Sequence, residues 1–364
     1  MTSEFLHKIL VAHFPGFRSN HLRRLRIKLG DFGKAHESDA QVLRQTGIKE
    51  NVVRDFIEWR TAVHIENILE VLRVYGIRII FLGDENYPQL LSQTSDPPEA
   101  LFIRGDIQPS TSISFVGSRK YSQYGQICIN LLIPDAVAYG LSTVSGLALG
   151  IDSLVHKKTV DCGGVTIAVL GTGVDTHSIY PKSNHWLAER ILDTGGVVSS
   201  EFPPGTTARK EHFPMRNRII AGLSPATVVI EAGQRSGSLI TARLALEENR
   251  EVFAVPGPIT KQTSVGTNRL LNQGAIPCVN FTSVLEGISL DIPERRIRSE
   301  TELPLSLNER KVMGYLKHER HTDELADLTD LDVGIVGSVL ASLELRGLIR
   351  NHGSQKWLKE VGLP

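Results

Sequence analysis

Residues 199–241 read SSEFPPGTTARKEHFPMRNRIIAGLSPATVVIEAGQRSGSLIT. Two glycine-rich turns in this stretch, Pro204-Gly205 and Gly233 to Gly237, follow apolar runs, Val197-Val198-Ser199-Ser200 and Thr227-Val228-Val229-Ile230. Short apolar runs set between helical periods mark strands covered on both faces, as in a parallel sheet. Between the turns lies a basic cluster with one aromatic, Arg209-Lys210-x-x-Phe213-x-x-Arg216-Asn217-Arg218. Backbone N–H groups at helix starts, cationic side chains and an aromatic face suit a phosphate backbone whose bases are free to stack. A single-stranded nucleic acid has both features.

The same alternation runs outward over residues 112 to about 288. Further runs are Ile113-Ser114-Phe115-Val116, Ser142-Thr143-Val144-Ser145, Thr166-Ile167-Ala168-Val169-Leu170, Glu251-Val252-Phe253-Ala254-Val255 and Ile276-Pro277-Cys278-Val279. The fold class expected is α/β, a Rossmann-like, doubly wound, mostly parallel sheet. Most runs end in a glycine turn, including Gly117-Ser118-Arg119, Gly146-Leu147-Ala148 and Gly171-Thr172-Gly173. In a parallel sheet those turns share the carboxyl edge and place a row of helix starts along one groove. Upstream, Ile65 to Tyr75 has a helical period closed by Gly76, and Ile77 to Leu82 and Leu101 to Arg104 read as strands leading onto that sheet.

The two ends have different characters. Residues 1–64 read as a small helical module with turns at Phe14-Pro15-Gly16-Phe17 and Thr46-Gly47-Ile48, of the kind found in helix-hairpin-helix units. Arg18, Arg23, Arg24, Arg26 and Lys28 follow the first turn; a solvated face is the preferred reading over DNA contact. The core spans 65–288, and Pro and charge mark 289–304 as a linker. Residues 305–364 suit a winged helix, with helices near 308–317, 322–328 and 333–346, a cap at Gly347 and a hairpin across 352–354. Its third helix carries no Lys or Arg from Asp332 to Leu345. Protein contact or a structural role is therefore expected there rather than base reading.

The 364 residues carry 40 basic and 40 acidic side chains, so any polyanion site is a local patch rather than a global field. The three cysteines form no CxxC pair and the twelve histidines show no ligand spacing, so no metal is expected. No run reaches the roughly 18 apolar residues of a membrane span, and a cytoplasmic protein is expected. Gly171-x-Gly173 lacks the rest of a dinucleotide fingerprint, and neither GxxxxGK[ST] nor GxSxG occurs; no cofactor is expected. Asp152 and His156, one turn apart, read as a carboxylate at a helix start beside a packed imidazole rather than as catalysts.

Gly117-Ser118-Arg119 offers a permissive backbone, a hydroxyl and a guanidinium where a phosphate would sit. Alone, such a turn holds a nucleotide or merely caps a helix. Ser236-Gly237-Ser238 repeats the arrangement, and two cups flanking Lys210, Phe213 and Arg216 favour an extended polyanion. Phe213 precedes Pro214, and either anchors its loop in the core or presents a face to a base.

These residues, with Tyr121-Ser122-x-Tyr124-Gly125, Ser145-Gly146-Leu147-Ala148-x-Gly150-Ile151-Asp152-x-x-x-His156, Tyr180-Pro181-x-x-Asn184, Phe213-Pro214-x-Arg216-Asn217-Arg218-Ile219-Ile220-Ala221-Gly222 and Val255-Pro256-Gly257, occur in an order that closely resembles the DNA-processing DprA, or Smf, family over residues 77 to 280. The resemblance implies a single-stranded DNA-binding recombination mediator, not an enzyme. Such a protein dimerises and loads the recombinase RecA during natural transformation, against single-strand-binding protein. It implies DNA contacts at Gly117, Ser118, Arg119, Gly146, Lys210, Phe213, Arg216, Asn217, Gly237 and Ser238. It further implies self-association near Asn268, Leu270 and Leu271, and RecA contact near Arg243, Leu246 and Glu251.

The alternative is a nucleotide-binding, phosphoribohydrolase-like enzyme of the lysine-decarboxylase-like group, which shares the Rossmann-like core. That group's PGGxGTxxE loop carries a catalytic Glu, and Thr241 stands at that position here. Without the carboxylate, glycosidic cleavage lacks its general acid or base.

Overall fold

The runs above form β1 (Arg78–Phe81), β2 (Ala100–Arg104), β3 (Ser112–Val116), β4 (Ser142–Ser145), β5 (Thr166–Leu170), β6 (Val197–Ser200), β7 (Ala226–Val229), β8 (Glu251–Ala254) and β9 (Ile276–Pro277). They join in one sheet in the order β1-β2-β6-β5-β4-β3-β7-β8-β9. From β6 to β9 every pairing is parallel, and β1 and β2 extend the β6 edge antiparallel. The structure is a computed structural model describing residues 3–107, 111–288, 306–316, 318–345, 348–351, 353 and 355–359.

Every residue of β3 and β5 is buried, which is why these strands show continuous apolar runs and no alternation. The polar exceptions are satisfied internally. Ser112 and Ser114 bond Ser224 Oγ at 3.0 and 2.9 Å, and each hydroxyl also donates to a carbonyl, of Leu223 and of Ile220. Phe102, Phe115 and Phe253 are fully buried, each contributing about 1.5–3 kcal/mol by leaving water.

The chain divides into two compact units, Met1–Arg296 and Ile297–Pro364. Within the first, the N-terminal helices share one core with the sheet: Phe14, Phe17 and Phe56 continue into Phe81, Phe102 and Leu170. Buried Glu99 fastens the helix Ser19–Leu29 by accepting from Arg26 Nε (2.6 Å) and Nη2 (2.9 Å), and Arg23 pairs with Asp96. Residues 1–64, expected as a module of their own, are thus a layer on the β1-β2-β6 end.

The second unit carries helices Leu307–Tyr315, Thr322–Thr329 and Val333–Leu345 with β10 (Arg320–His321), β11 (Ile349–Asn351) and β12 (Lys356–Lys359), ordered β10-β12-β11. This is a winged-helix arrangement around Val312, Leu325, Val336, Leu340 and Trp357. Trp357 Nε1 donates to Thr322 Oγ1 at 3.0 Å. On the third helix Val333 and Ile335 are exposed. The expected linker at 289–304, the Gly347 cap and most of the 352–354 turn lie outside the described residues. Among the described residues no helix is long and apolar enough to cross a membrane.

Candidate nucleic-acid interface

The chain runs β3-β4-β5-β6 to one side of β3 and then crosses back to place β7, β8 and β9 on the other. The carboxyl ends of β3 and β7 therefore splay their loops apart, and a ligand crevice opens at that switch. A cleft of about 750 Å³ lies there, its lining including Gly117 to Arg119, Tyr180, Lys210, Phe213, Asn217 and Arg235 to Ser238.

Gly117 follows β3 at a point of close packing. A Cβ there would lie 2.6 Å from Ile151, whose N–H donates to Ser118 O at 3.1 Å. Gly150 holds the other side with a φ of +86°, its missing Cβ only 2.3 Å from the Ser118 carbonyl oxygen. Ser118 Oγ accepts from Lys120 N–H at 3.1 Å and donates to Lys120 O, closing the turn on itself. Arg119 and Lys120 are left exposed, without ion pairs among the described residues.

The second cup opens the helix Ser238–Glu247. Ser236 and Ser238 hydroxyls bond at 2.7 Å, and nothing lies within 4 Å of where a Gly237 side chain would begin. Asn217 Nδ2 donates to Gly237 O at 3.4 Å and so ties this cup to the helix His212–Gly222. Glu231, buried at the end of β7, accepts from Ser122 N–H (2.8 Å) and from the Ser122 hydroxyl, holding the start of the helix Gln123–Ala138.

Between the cups the basic cluster sorts into three kinds of residue. Lys210 is exposed and unpaired among the described residues, as are Arg209 and Arg235. Arg218 is neutralised by Glu201 and Asp96, at 2.7 and 2.8 Å. Arg216 is 97% removed from solvent and points inward, where its Nη1 donates to the carbonyls of Gly146 (2.6 Å) and Val169. Burial lowers the basicity of Arg216 to about 10, against the opposing pull of Asp152. Asp152, whose own pKa burial raises despite Arg216, accepts from Gly146 N–H at 3.2 Å. Arg216 is therefore a strut beneath the groove, although expected from the sequence to touch DNA. Gly146 lies under it, with no room for a Cβ 2.4 Å from Arg216 Nη1, and does not face the cleft.

His156 completes the strut. Leu147 N–H donates to Nε2 at 3.3 Å, so the proton sits on Nδ1, 2.7 Å from Thr166 Oγ1. Burial and then Arg216 push its pKa down to about 3.

Phe213 is half-buried, one ring edge against Gly171, and the Arg119 guanidinium carbon sits 5.6 Å over its ring. Tyr180 lies 5.9 Å from Phe213, centroid to centroid, and is half exposed. Tyr180, which the sequence marks only as part of a motif, and Arg235 also line the cleft; Tyr180 sits in a turn after β5, and Arg235 between two glycines.

The remaining expected surfaces lie elsewhere on this unit. Asn268 is engaged with Gly257, donating to its carbonyl at 3.0 Å and accepting from its N–H at 3.2 Å. Leu270 is buried and Leu271 half-buried in the core beneath the helix Val265–Asn272. Leu246 is exposed, Glu251 is exposed at the start of β8, and Arg243 pairs with Glu247 at 3.5 Å.

Residues 78–289 match the family described as DNA recombination-mediator protein A, and residues 298–355 match the DprA winged helix domain. The chain is 38% identical over 325 residues to Protein Smf of Escherichia coli K12, covering 87% of this chain and 86% of that one. Among solved structures it is similar to DNA processing protein A of Streptococcus pneumoniae, at 33% identity and a TM-score of 0.65, over 79% of this chain and 98% of the other. It is also similar to a structure describing the single-stranded DNA binding mode of DNA processing protein A from Helicobacter pylori. There the identity is 27% and the TM-score 0.53, over 60% of this chain and 98% of that one.

Proposed function

Because the chain belongs to the DNA recombination-mediator protein A family, known as DprA or Smf, we propose that it binds single-stranded DNA in the cleft at the β3/β7 switch and acts without catalysing a reaction. The observation that carries this is the grouping of two backbone cups, unpaired Arg119 and Lys210, and the Phe213–Tyr180 pair in one open cleft. Phosphates are held by backbone N–H groups and the free cations, while a base stacks on an aromatic face. Neither element encodes sequence, so binding tolerates any base order.

Arg119 covers Phe213 in the free protein. When Arg119 turns to a phosphate it uncovers the ring, so phosphate capture and base stacking favour one another. Asp152 is the carboxylate in the cleft wall, and it is held by Gly146 N–H beside Arg216, which argues against a role as general acid or base.

On this reading the protein works as a homodimer that loads RecA onto incoming DNA in natural transformation, in opposition to single-strand-binding protein, in the cytoplasm. The exposed Leu246 suits a protein contact there. With Leu270 inside the core, self-association falls to the outer face of its helix and to the open edge of β9.

Fluorescence anisotropy with single-stranded and duplex oligonucleotides tests the site. A Lys210→Ala/Phe213→Ala variant should weaken single-strand binding by about 1–3 kcal/mol for the lost stack alone, on the order of 5- to 150-fold. Equal binding to duplex, or a variant that binds like its parent, would remove the cleft from consideration. Thermal protection by a mononucleotide rather than an oligonucleotide would favour the phosphoribohydrolase-like enzyme.

A further inference from the structure

The helix Ser19–Leu29, whose basic residues suit a solvated face as a bare sequence, reaches the edge of the groove. Arg18, at its N-terminus, is exposed, with Nη1 3.8 Å from Sδ of Met215, which belongs to the same helix, His212–Gly222, as the cleft-lining Phe213 and Asn217 but is not itself part of the lining. Burial raises the pKa of Glu201 and lowers that of His212, and the Arg18 charge acts downward on both.

The cations of this helix divide by face. Arg23 and Arg26 turn inward to Asp96 and Glu99, and Ser19 Oγ accepts from Glu99 N–H at 2.9 Å, so the helix is fixed to the core. Arg18, Arg24 and Lys28 are exposed, and none has a carboxylate partner among the described residues. Arg24 donates to Gly47 O, a neutral group, at 2.5 Å. With His21, these positions recur at spacings of three, three and four, which is one face of a helix. His21 is half-buried in that stripe, and after burial it is Arg24 and Arg18 that hold its pKa down. From Arg18 to Lys28 the stripe runs about 15 Å at 1.5 Å per residue.

A cationic stripe locked in place, unneutralised, and beginning at the helix that carries Phe213 extends the positive surface outward from the cleft. We propose that single-stranded DNA leaving the cleft past Phe213 and Met215 runs on over the Arg18–Arg24–Lys28 face, which neutralises its phosphates. The proposal rests on the reading of the cleft as the single-strand site. The N-terminal layer thereby sets how much DNA one subunit occupies.

The test compares thymidine oligonucleotides of about 6 and about 20 nucleotides, within and beyond the reach of a single binding groove. An Arg18→Ala/Arg24→Ala/Lys28→Ala variant should bind the short strand as its parent does and the long strand more weakly. Its slope of log affinity against log salt for the long strand should be shallower by about 2, three contacts at about 0.7 each. Arg18→Glu/Lys28→Glu leaves the Arg24–Gly47 bond intact, and should weaken the long strand while leaving the thermal midpoint at the parental value.

Parental affinity and slope on the long strand would overturn the path, provided Lys210→Ala/Phe213→Ala loses both strands. If that second variant also binds like the parent, the cleft assignment fails and the path fails with it. An equal loss on a duplex of the same length would assign the stripe to duplex DNA and overturn the single-strand path.

Discussion

Arg216→Met separates the strut from a DNA contact. The substitution keeps an unbranched stem as far as the position of Nε and removes the guanidinium that serves the carbonyls of Gly146 and Val169. Two buried acceptors left unmade cost about 1–3 kcal/mol each, and Asp152 loses the charge that opposes its burial. Against this, Arg216 Nε is itself buried without a partner, and its loss relieves about 1 kcal/mol or more. The net is a destabilisation of about 3 kcal/mol, on the order of 6 °C in thermal midpoint for a domain of this size. DNA affinity should fall because the Gly146-Leu147 turn loosens, yet the salt slope should keep its parental value because no phosphate contact is removed. Denaturant melts and anisotropy across a salt series read both. A variant as stable as its parent, with a slope shallower by about 0.7, would show that Arg216 meets phosphate directly and refute the strut.

Arg119→Met, by contrast, should make the salt slope shallower by about 0.7 while leaving Phe213 open; titrations at low and high salt check that the loss shrinks as salt rises. Gly150→Ala forces a side chain into a left-handed backbone and onto the Ser118 carbonyl, 2.3 Å from where its Cβ must sit. It should cost about 2–4 kcal/mol and abolish the first cup, read by urea melts together with oligonucleotide binding. For pH, burial holds the pKa of His156 near 3 and of His13 near 4, whereas an unfolded imidazole protonates near 6.5. The unfolded chain therefore binds more protons below about 6.5, and stability falls as pH falls from there toward 4, by up to about 1.4 kcal/mol per unit for each histidine. The raised pKa of Asp152 works in the opposite direction. Melts between pH 7 and 5 should show the decline in the parent and a smaller one in His156→Gln.

The doubly wound sheet was legible because parallel strands buried on both faces leave runs such as Thr166 to Leu170 with no polar alternation. The turns were legible because glycine sits where backbone and neighbour meet, as at Gly117 against Ile151. What the chain conceals is the direction of a long side chain. Arg216 and Lys210 are both cations near Phe213, yet one turns into the core and the other into solvent, a choice set by the carbonyls of Gly146 and Val169 far along the chain. Arg218 is equally ambiguous until Glu201 is brought beside it. The joining of the N-terminal helices to the sheet is hidden in the chain for the same reason. Its attachment rests on Glu99 and on Phe102, more than one element away, and no local pattern announces it.

The placement of β7 beside β3 has a consequence for synthesis on the ribosome. The hydroxyls of Ser114 and Ser224 that meet there are 110 residues apart, and both cups of the cleft flank this seam. At about 5–20 residues per second, a nascent chain carries the first cup for roughly 5–20 s before the second emerges. Through that interval the β3 edge is unpaired and the Gly117 turn has no opposite wall. The growing polypeptide is thus unable to grip a DNA strand in the cleft until its second half has docked, and binding competence arrives in a single late step.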